Sequence, residues 1–245
     1  MPIIDHISDK QLGIIELKSS ERARYINFRY KNGHITMSIP AHTRYTLDEL
    51  HSKIDELRPK LLKLLNKGHK RYEQAILFEG KIIDIVEGKI IIKSEPKLPR
   101  KSTYIHHRDN TVWALYNPND NLSDDTFAQF FSKAILKHLT RLYGQNLQQL
   151  AFDCAKRNGI TIKKVQIGRG RQRLGCCSSS GIITLSAILL LYPQHLREYI
   201  ICHEMAHLKH FNHSEAFHKL CNDYCRGNEK QWNKELKEFA IPLYL

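Results

Sequence analysis

The sequence predicts an α+β protein on three observations. Alternating and Ile-rich runs separated by turn residues recur between Arg24 and Tyr116, a long apolar stripe of helical period follows Asn121, and a later helical segment carries four histidines and a glutamate. We therefore expect an N-terminal antiparallel β-rich half with one helix, residues 1–120. The C-terminal half, 121–245, should hold a long helix, a short three-stranded sheet, an HExxH helix and a following helix. The halves are expected to form one interlocked unit.

In the first half, Arg24 to Tyr30 and Ile35 to Ile39 alternate polar and apolar residues around Lys31-Asn32-Gly33-His34, which predicts a hairpin ended by Pro40. From Thr46, a capping residue ahead of Asp48 and Glu49, Leu47, Leu50, Ile54, Leu57, Leu61, Leu64 and Leu65 recur with helical spacing. Pro59 should kink or break that helix. Further antiparallel strands are expected in Ala75 to Lys93, around Glu87-Gly88-Lys89, and in Tyr104 to Tyr116, around Arg108-Asp109-Asn110. No internal repeat is visible.

In the second half, Ser123, Asp124 and Asp125 open a helix whose stripe runs from Phe127 through Phe131, Ile135, Leu139 and Leu147 to Cys154 and ends at Asn158-Gly159. Gly144 is a potential interruption. Short strands follow at Lys164 to Ile167, Arg173 to Cys177 and Gly181 to Ser186, and Pro193 opens the next helix.

With 42% hydrophobic residues in 245, the chain has the composition of a globular protein. No signal-peptide pattern is present and the strongest apolar run, IITLSAILLLY, is too short to span a bilayer, so no membrane partner and a cytoplasmic location are expected. The six cysteines lack regular spacing and are expected to be reduced. Lys and Arg outnumber Asp and Glu by 38 to 25, a formal charge of +13, which would attract polyanions such as nucleic acid or nucleotide phosphates.

The segment ICHEMAHLKHFNH concentrates ionisable residues among apolar neighbours, where imidazoles and carboxylates are costly unless paired or metal-bound. On a helix His203 and His207, four residues apart, share one face and can chelate one small cation, while Glu204 can reach a metal-bound water without being a ligand. The expected chemistry is that of a zinc site: the metal lowers the pKa of a water and Glu204 takes its proton as general base. His210 and His213 compete to be the third ligand. In an unbroken helix His210 would lie about 10.5 Å of rise beyond His203, far too distant for Zn–N bonds of about 2.1 Å. His213 avoids this if the helix ends near His210 and Asn212, which tolerates left-handed geometry, reverses the chain, with Ser214 capping a new helix from Glu215.

RQRLGCCSSSGIITLSAILLLYP followed by YIICHEMAHLKHFNHSEAFHKL resembles the YgjP-like metallopeptidase domain family, related to the SprT-like zinc proteases, whose pattern is an RWGSCS-type strand and turn and then HExxHxxxxxHSxxF. The resemblance covers most of the chain, back to near Arg22. It implies a zincin-like C-terminal half, one zinc ion on His203, His207 and His213, Glu204 as general base, and a substrate cleft bordered by the strand before the motif helix. Two departures, Leu174 for an aromatic and Cys176 for a small serine, lie beside that strand. Metzincins share the histidine spacing but need a methionine turn beyond the third histidine, and the only methionines are Met1, Met37 and Met205.

The leading expectation is therefore a zinc metallopeptidase whose peptide substrate adds to the Gly181 to Ser186 strand as a sheet edge, with Tyr192, Tyr199 and Arg173 as possible oxyanion donors. A metal-dependent nucleotide pyrophosphatase is the alternative, with Lys163, Lys164, Arg169, Arg171 and Arg173 holding phosphate; Arg171 and Arg173 are the candidate substrate-binding residues in either case. A DNA-associated protease is a third reading, resting on charge and the SprT-like kinship.

Overall fold

The computed structural model describes residues 3–31, 33–168, 170 and 173–245. It is an α+β structure that separates into two compact units, Met1–Ala75 and Ile76–Leu245. The change in sequence character after Asn121 falls inside the second unit, because the Ile-rich hairpins before it share a core with the helices after it.

The first unit is a four-stranded sheet and a helix. Strands β1 (Ile3–Asp9), β2 (Gly13–Ser20), β3 (Asn27–Lys31) and β4 (His34–Pro40) are ordered β1-β2-β4-β3, two antiparallel hairpins joined by the parallel pair β2 and β4. Alternation puts Ile15, Leu17, Ile35 and Met37 on one face, where they pack with Leu50, Ile54 and Leu61 of α1 (Leu47–Ala75). Helix α1 begins with a reciprocal cap: Glu49 accepts from the Thr46 amide and the Thr46 hydroxyl accepts from the Glu49 amide. It runs without interruption through Pro59, contrary to the expected break. The 29-residue helix is held by its buried stripe on both sides of the proline, and packing outweighs one lost backbone bond.

Asp9 ties this unit together. Its carboxylate accepts two 2.9 Å bonds from Arg58 and further bonds from the amides of Gln11 and Leu12. Arg58 first, and then those amides, holds its pKa well below the usual carboxylate range against the opposing effect of burial. Because the folded pKa is depressed, the stability it contributes is full above the unfolded value near 3.8 and is lost as pH falls through the folded value. Asp9→Asn should therefore lower the urea midpoint at pH 7 and make it fall less steeply between pH 4 and roughly 2. Equal acid slopes in variant and parent would count against the pair.

The second unit repeats the arrangement with unrelated residues. Strands β5 (Ile82–Ile85), β6 (Gly88–Ser94), β7 (Thr103–Arg108) and β8 (Thr111–Tyr116) are ordered β5-β6-β8-β7, again two hairpins about a central parallel pair, and again a long helix follows. That helix, α2 (Asp125–Arg157), is capped by the Asp124 carboxylate, which accepts from the Phe127 amide at 2.8 Å, and ends at Asn158 with Gly159 at φ 64°. It passes through Gly144 unbroken. Phe127, Phe131, Ile135 and Leu139 bury its stripe in the same core as Ile90, Ile92, Val112 and Ala114.

A smaller sheet follows. Strand β9 (Lys164–Gly168) runs parallel to β11 (Ile182–Ser186), and β10 (Gly175–Cys177) runs antiparallel to β11 on its other side. A short 3₁₀ turn at Ala187–Leu191 leads through Pro193 into α3 (Gln194–Ala206), then α4 (Glu215–Tyr224) and α5 (Glu229–Glu238). Most of α3 is buried, including Arg197 at 1% exposure. The six cysteines are free thiols, and no helix among the described residues is long and apolar enough to cross a membrane.

Candidate metal centre

Helix α3 supplies His203, its C-cap is His207, and the start of α4 borders His213. The turn-spacing of His203 and His207 brings their ring centroids to 4.9 Å, and His213 closes on them at 5.1 and 4.8 Å. The helix ends at Ala206, one turn earlier than expected, and the chain reverses without any residue from 207 to 213 taking a positive φ, Asn212 included. Instead His210 bonds back, its amide donating to Ala206 and its carbonyl accepting from His207 Nδ1 at 3.0 Å. Ser214 then caps α4, accepting from the Phe217 amide at 3.3 Å as the sequence predicts, and so leaves His213 at the helix threshold.

The donor set suits a small divalent cation. One nitrogen from each of His203, His207 and His213 falls within a group no wider than 4.8 Å. The Nε2 atoms of His203 and His213 are 3.2 Å apart, close to the roughly 3.3 Å that two ligands at about 2.05 Å subtend at a tetrahedral centre. Burial, and then the proximity of His207, His213 and His218, lowers the His203 pKa to about 4, so its ring is neutral and able to donate a lone pair at pH 7. The carbonyl of His210 fixes the tautomer of His207, holding the proton on Nδ1 and leaving Nε2 free for a metal. His210 itself is outside the cluster, and His218 bonds to Glu229 at 2.7 Å.

Phe217 organises the three rings. Its side chain is fully buried, and its ring centroid stands 4.9, 4.5 and 4.8 Å from those of His203, His207 and His213. This role is not evident from the helix pattern, where Phe217 counts only as one apolar residue three positions after the capping serine.

Glu204 faces the same cleft, a space of about 620 Å³ walled by Arg173 to Cys177, Tyr199, the histidines, Phe211 and, from α5, Asn233 and Leu236. The residue is 6% exposed, and burial raises its pKa to about 7. Gly175 makes that seat possible, since a Cβ there would come within 2.7 Å of the Glu204 Cγ and Oε1 atoms. Burial also pushes the Tyr199 hydroxyl well above its ordinary pKa, keeping it a proton donor.

The substrate-side expectations fare unevenly. Arg173 lines the cleft, whereas Arg169 and Arg171 lie outside the described residues. Lys163 and Lys164 stand at the start of β9, on the far side of β11 from the cleft strand, and do not line it. Tyr192 is buried against Phe239 at 4.3 Å and belongs to a different depression. The expectation that Gly181 to Ser186 forms a free edge is overturned: β11 is the central strand, paired on both sides, and β10 is the edge that borders the cleft. Sheet order depends on pairings across loops, which alternation within one strand does not reveal.

The fold and site thus define an α+β protein whose buried HExxH helix and following turn bring three histidines together beside a sheet edge. The chain belongs to the YgjP-like family, whose model, described as YgjP-like, metallopeptidase domain, matches residues 24–239. Comparison with curated proteins and with solved structures yields no match.

Proposed function

We propose that the chain is a zinc-dependent metallopeptidase in which His203, His207 and His213 hold the ion and Glu204 is the general base. The observation that carries this reading is the convergence of three histidine nitrogens within 4.8 Å at a cleft that also holds a buried carboxylate with no hydrogen-bond partner among the described residues. Membership of a metallopeptidase family supports it. When bound, zinc acts as a Lewis acid that acidifies water and polarises a carbonyl, and its charge favours ionised Glu204. Glu204 takes a proton from the attacking water and returns it to the leaving amine nitrogen, so the C–N bond breaks without release of an amide anion. An extended peptide pairs with the open edge of β10, which sets its scissile bond beside the histidines. Tyr199 and Arg173, on the cleft wall, are donors placed to serve the developing oxyanion.

A product scan by mass spectrometry tests the reading, offering the zinc-loaded protein unfolded peptides and nucleoside triphosphates in parallel. Peptide fragments absent from a Glu204→Gln blank are expected. Nucleoside monophosphate and pyrophosphate without peptide fragments would replace the reading with the phosphate-centred alternative.

Gly175→Ala is a sharper probe, because the added methyl strikes the flexible Glu204 side chain rather than backbone. The carboxylate should shift by about 1 Å and kcat fall on the order of 10²-fold, with zinc affinity unchanged. Full activity in this variant would mean that the seat of Glu204 is not needed for turnover.

A further inference from the structure

The second half of α1 carries a charge pattern that the candidate site leaves unused. Between Glu56 and Glu73 the helix has no acidic residue, and it presents Lys60, Lys63, Lys67 and Lys70 at spacings of three, four and three, all exposed. At about 100° per residue these four fall within a stripe of roughly 80°, away from the face that Leu50, Ile54, Leu61 and Gly68 bury. Among the described residues no carboxylate pairs with any of the four, whereas Glu56, the last acid before them, is taken by Lys53 at 2.6 Å. Arg71 continues the exposed basic surface.

Like charges three and four residues apart on a helix repel and destabilise it. A polyanion along the stripe would relieve that repulsion. Lys60 and Lys70 are separated by about 15 Å of helix rise, a lysine roughly every 5 Å, and a nucleic-acid strand carries one charge per about 3.4 Å of duplex axis, dense enough to face each lysine. Lysine is a compact point charge that suits phosphate oxygens and lacks the planar fork that reads guanine edges. A lipid surface fits less well, because an interfacial helix needs exposed apolar residues to insert, and the exposed large apolar residues of α1 are confined to Leu47 at its start. Leu57, Leu62, Leu64 and Leu65 are instead packed on the core of the unit. A flexible acidic peptide would have to be ordered on docking, whereas a duplex arrives with its charges already spaced.

We propose that the Lys60–Lys63–Lys67–Lys70 face of α1 docks on the phosphate backbone of double-stranded nucleic acid without reading base sequence. Fluorescence anisotropy of the full-length chain with labelled duplex DNA and duplex RNA, across a salt series, tests this, with the four lysines changed together to glutamine and, separately, to arginine. Each phosphate contact contributes a slope of about −0.9 to log K against log salt, so the glutamine variant should lose between three and four units of slope and bind at least tenfold more weakly at low salt. The arginine variant should keep the parent slope on every duplex sequence tried. Combining the glutamine changes with Glu204→Gln separates this surface from the peptidase site, since the loss of slope is expected whether or not the protein turns over peptide. An unchanged slope in the glutamine variant would overturn the proposal. So would binding to vesicles of phosphatidylserine and phosphatidylcholine, or to polyglutamate, with no binding to duplex.

Discussion

Glu204→Gln is expected to keep zinc and to lower peptide turnover by about 10²- to 10⁴-fold, the range that general-base catalysis contributes. The amide has nearly the volume of the acid, so the seat against Gly175 and the buried face of α3 should survive. What disappears is the ability to accept a proton from water. Titrating zinc into the variant by competition with a chelator, alongside kcat on a cleaved peptide, separates the two effects. Parent-like turnover would remove Glu204 from the mechanism, and loss of zinc with activity would make it a ligand or a support of the ligands. The histidine geometry speaks against the second of these outcomes: the three nitrogens form their cluster without a Glu204 oxygen.

The second large effect concerns stability. Arg197 on α3 donates to both carboxylate oxygens of Glu87, at 2.5 and 3.1 Å, and also to the carbonyls of Tyr192 and Leu190. Its side chain is 2% exposed and that of Glu87 9%. The pair therefore braces the helix that carries His203 and Glu204 against the β5–β6 turn of the adjoining sheet. Breaking a buried pair from one side leaves an uncompensated charge, which costs about 3–5 kcal/mol. Arg197→Met should lower the stability of the Ile76–Leu245 unit by that amount in urea unfolding, and its Tm by on the order of 10 °C. Adding Glu87→Gln should recover part of the loss, because the stranded charge goes while the two carbonyls remain without their donor. A loss below about 1 kcal/mol in the single variant would show that water reaches Glu87 and that the brace is dispensable.

How far each feature can be read from the sequence follows from how local its cause is. The cap at Asp124, the stop at Asn158-Gly159, the cap at Ser214 and the shared face of His203 and His207 all arise within a few residues. The expectation of His213 rather than His210 beside the other two histidines has an equally local cause, the rise of one helix, and His213 is the one that joins the cluster. The details of that reversal are less local: α3 ends at Ala206 because the chain from His207 onward folds back to place His213, and Asn212 needs no left-handed turn.

The duplicated sheet topology has no sequence counterpart, because β1 to β4 and β5 to β8 share an order of pairing and not a set of residues. Pro59 and Gly144 signal breaks that buried stripes override. The edge position of β10, the seat Gly175 leaves for Glu204, and the Arg197–Glu87 pair, 110 residues apart, join segments that no local pattern connects.

Residue spacing within single helices and turns was thus enough to nominate the histidines and the glutamate, because hydrogen bonding and helical period act over a few residues. Which strand meets the cleft, which ring orders the histidines and which buried charges are paired emerged only on folding. Those contacts depend on the packing of distant segments into one core, and packing constrains shape and satisfied polarity rather than sequence separation.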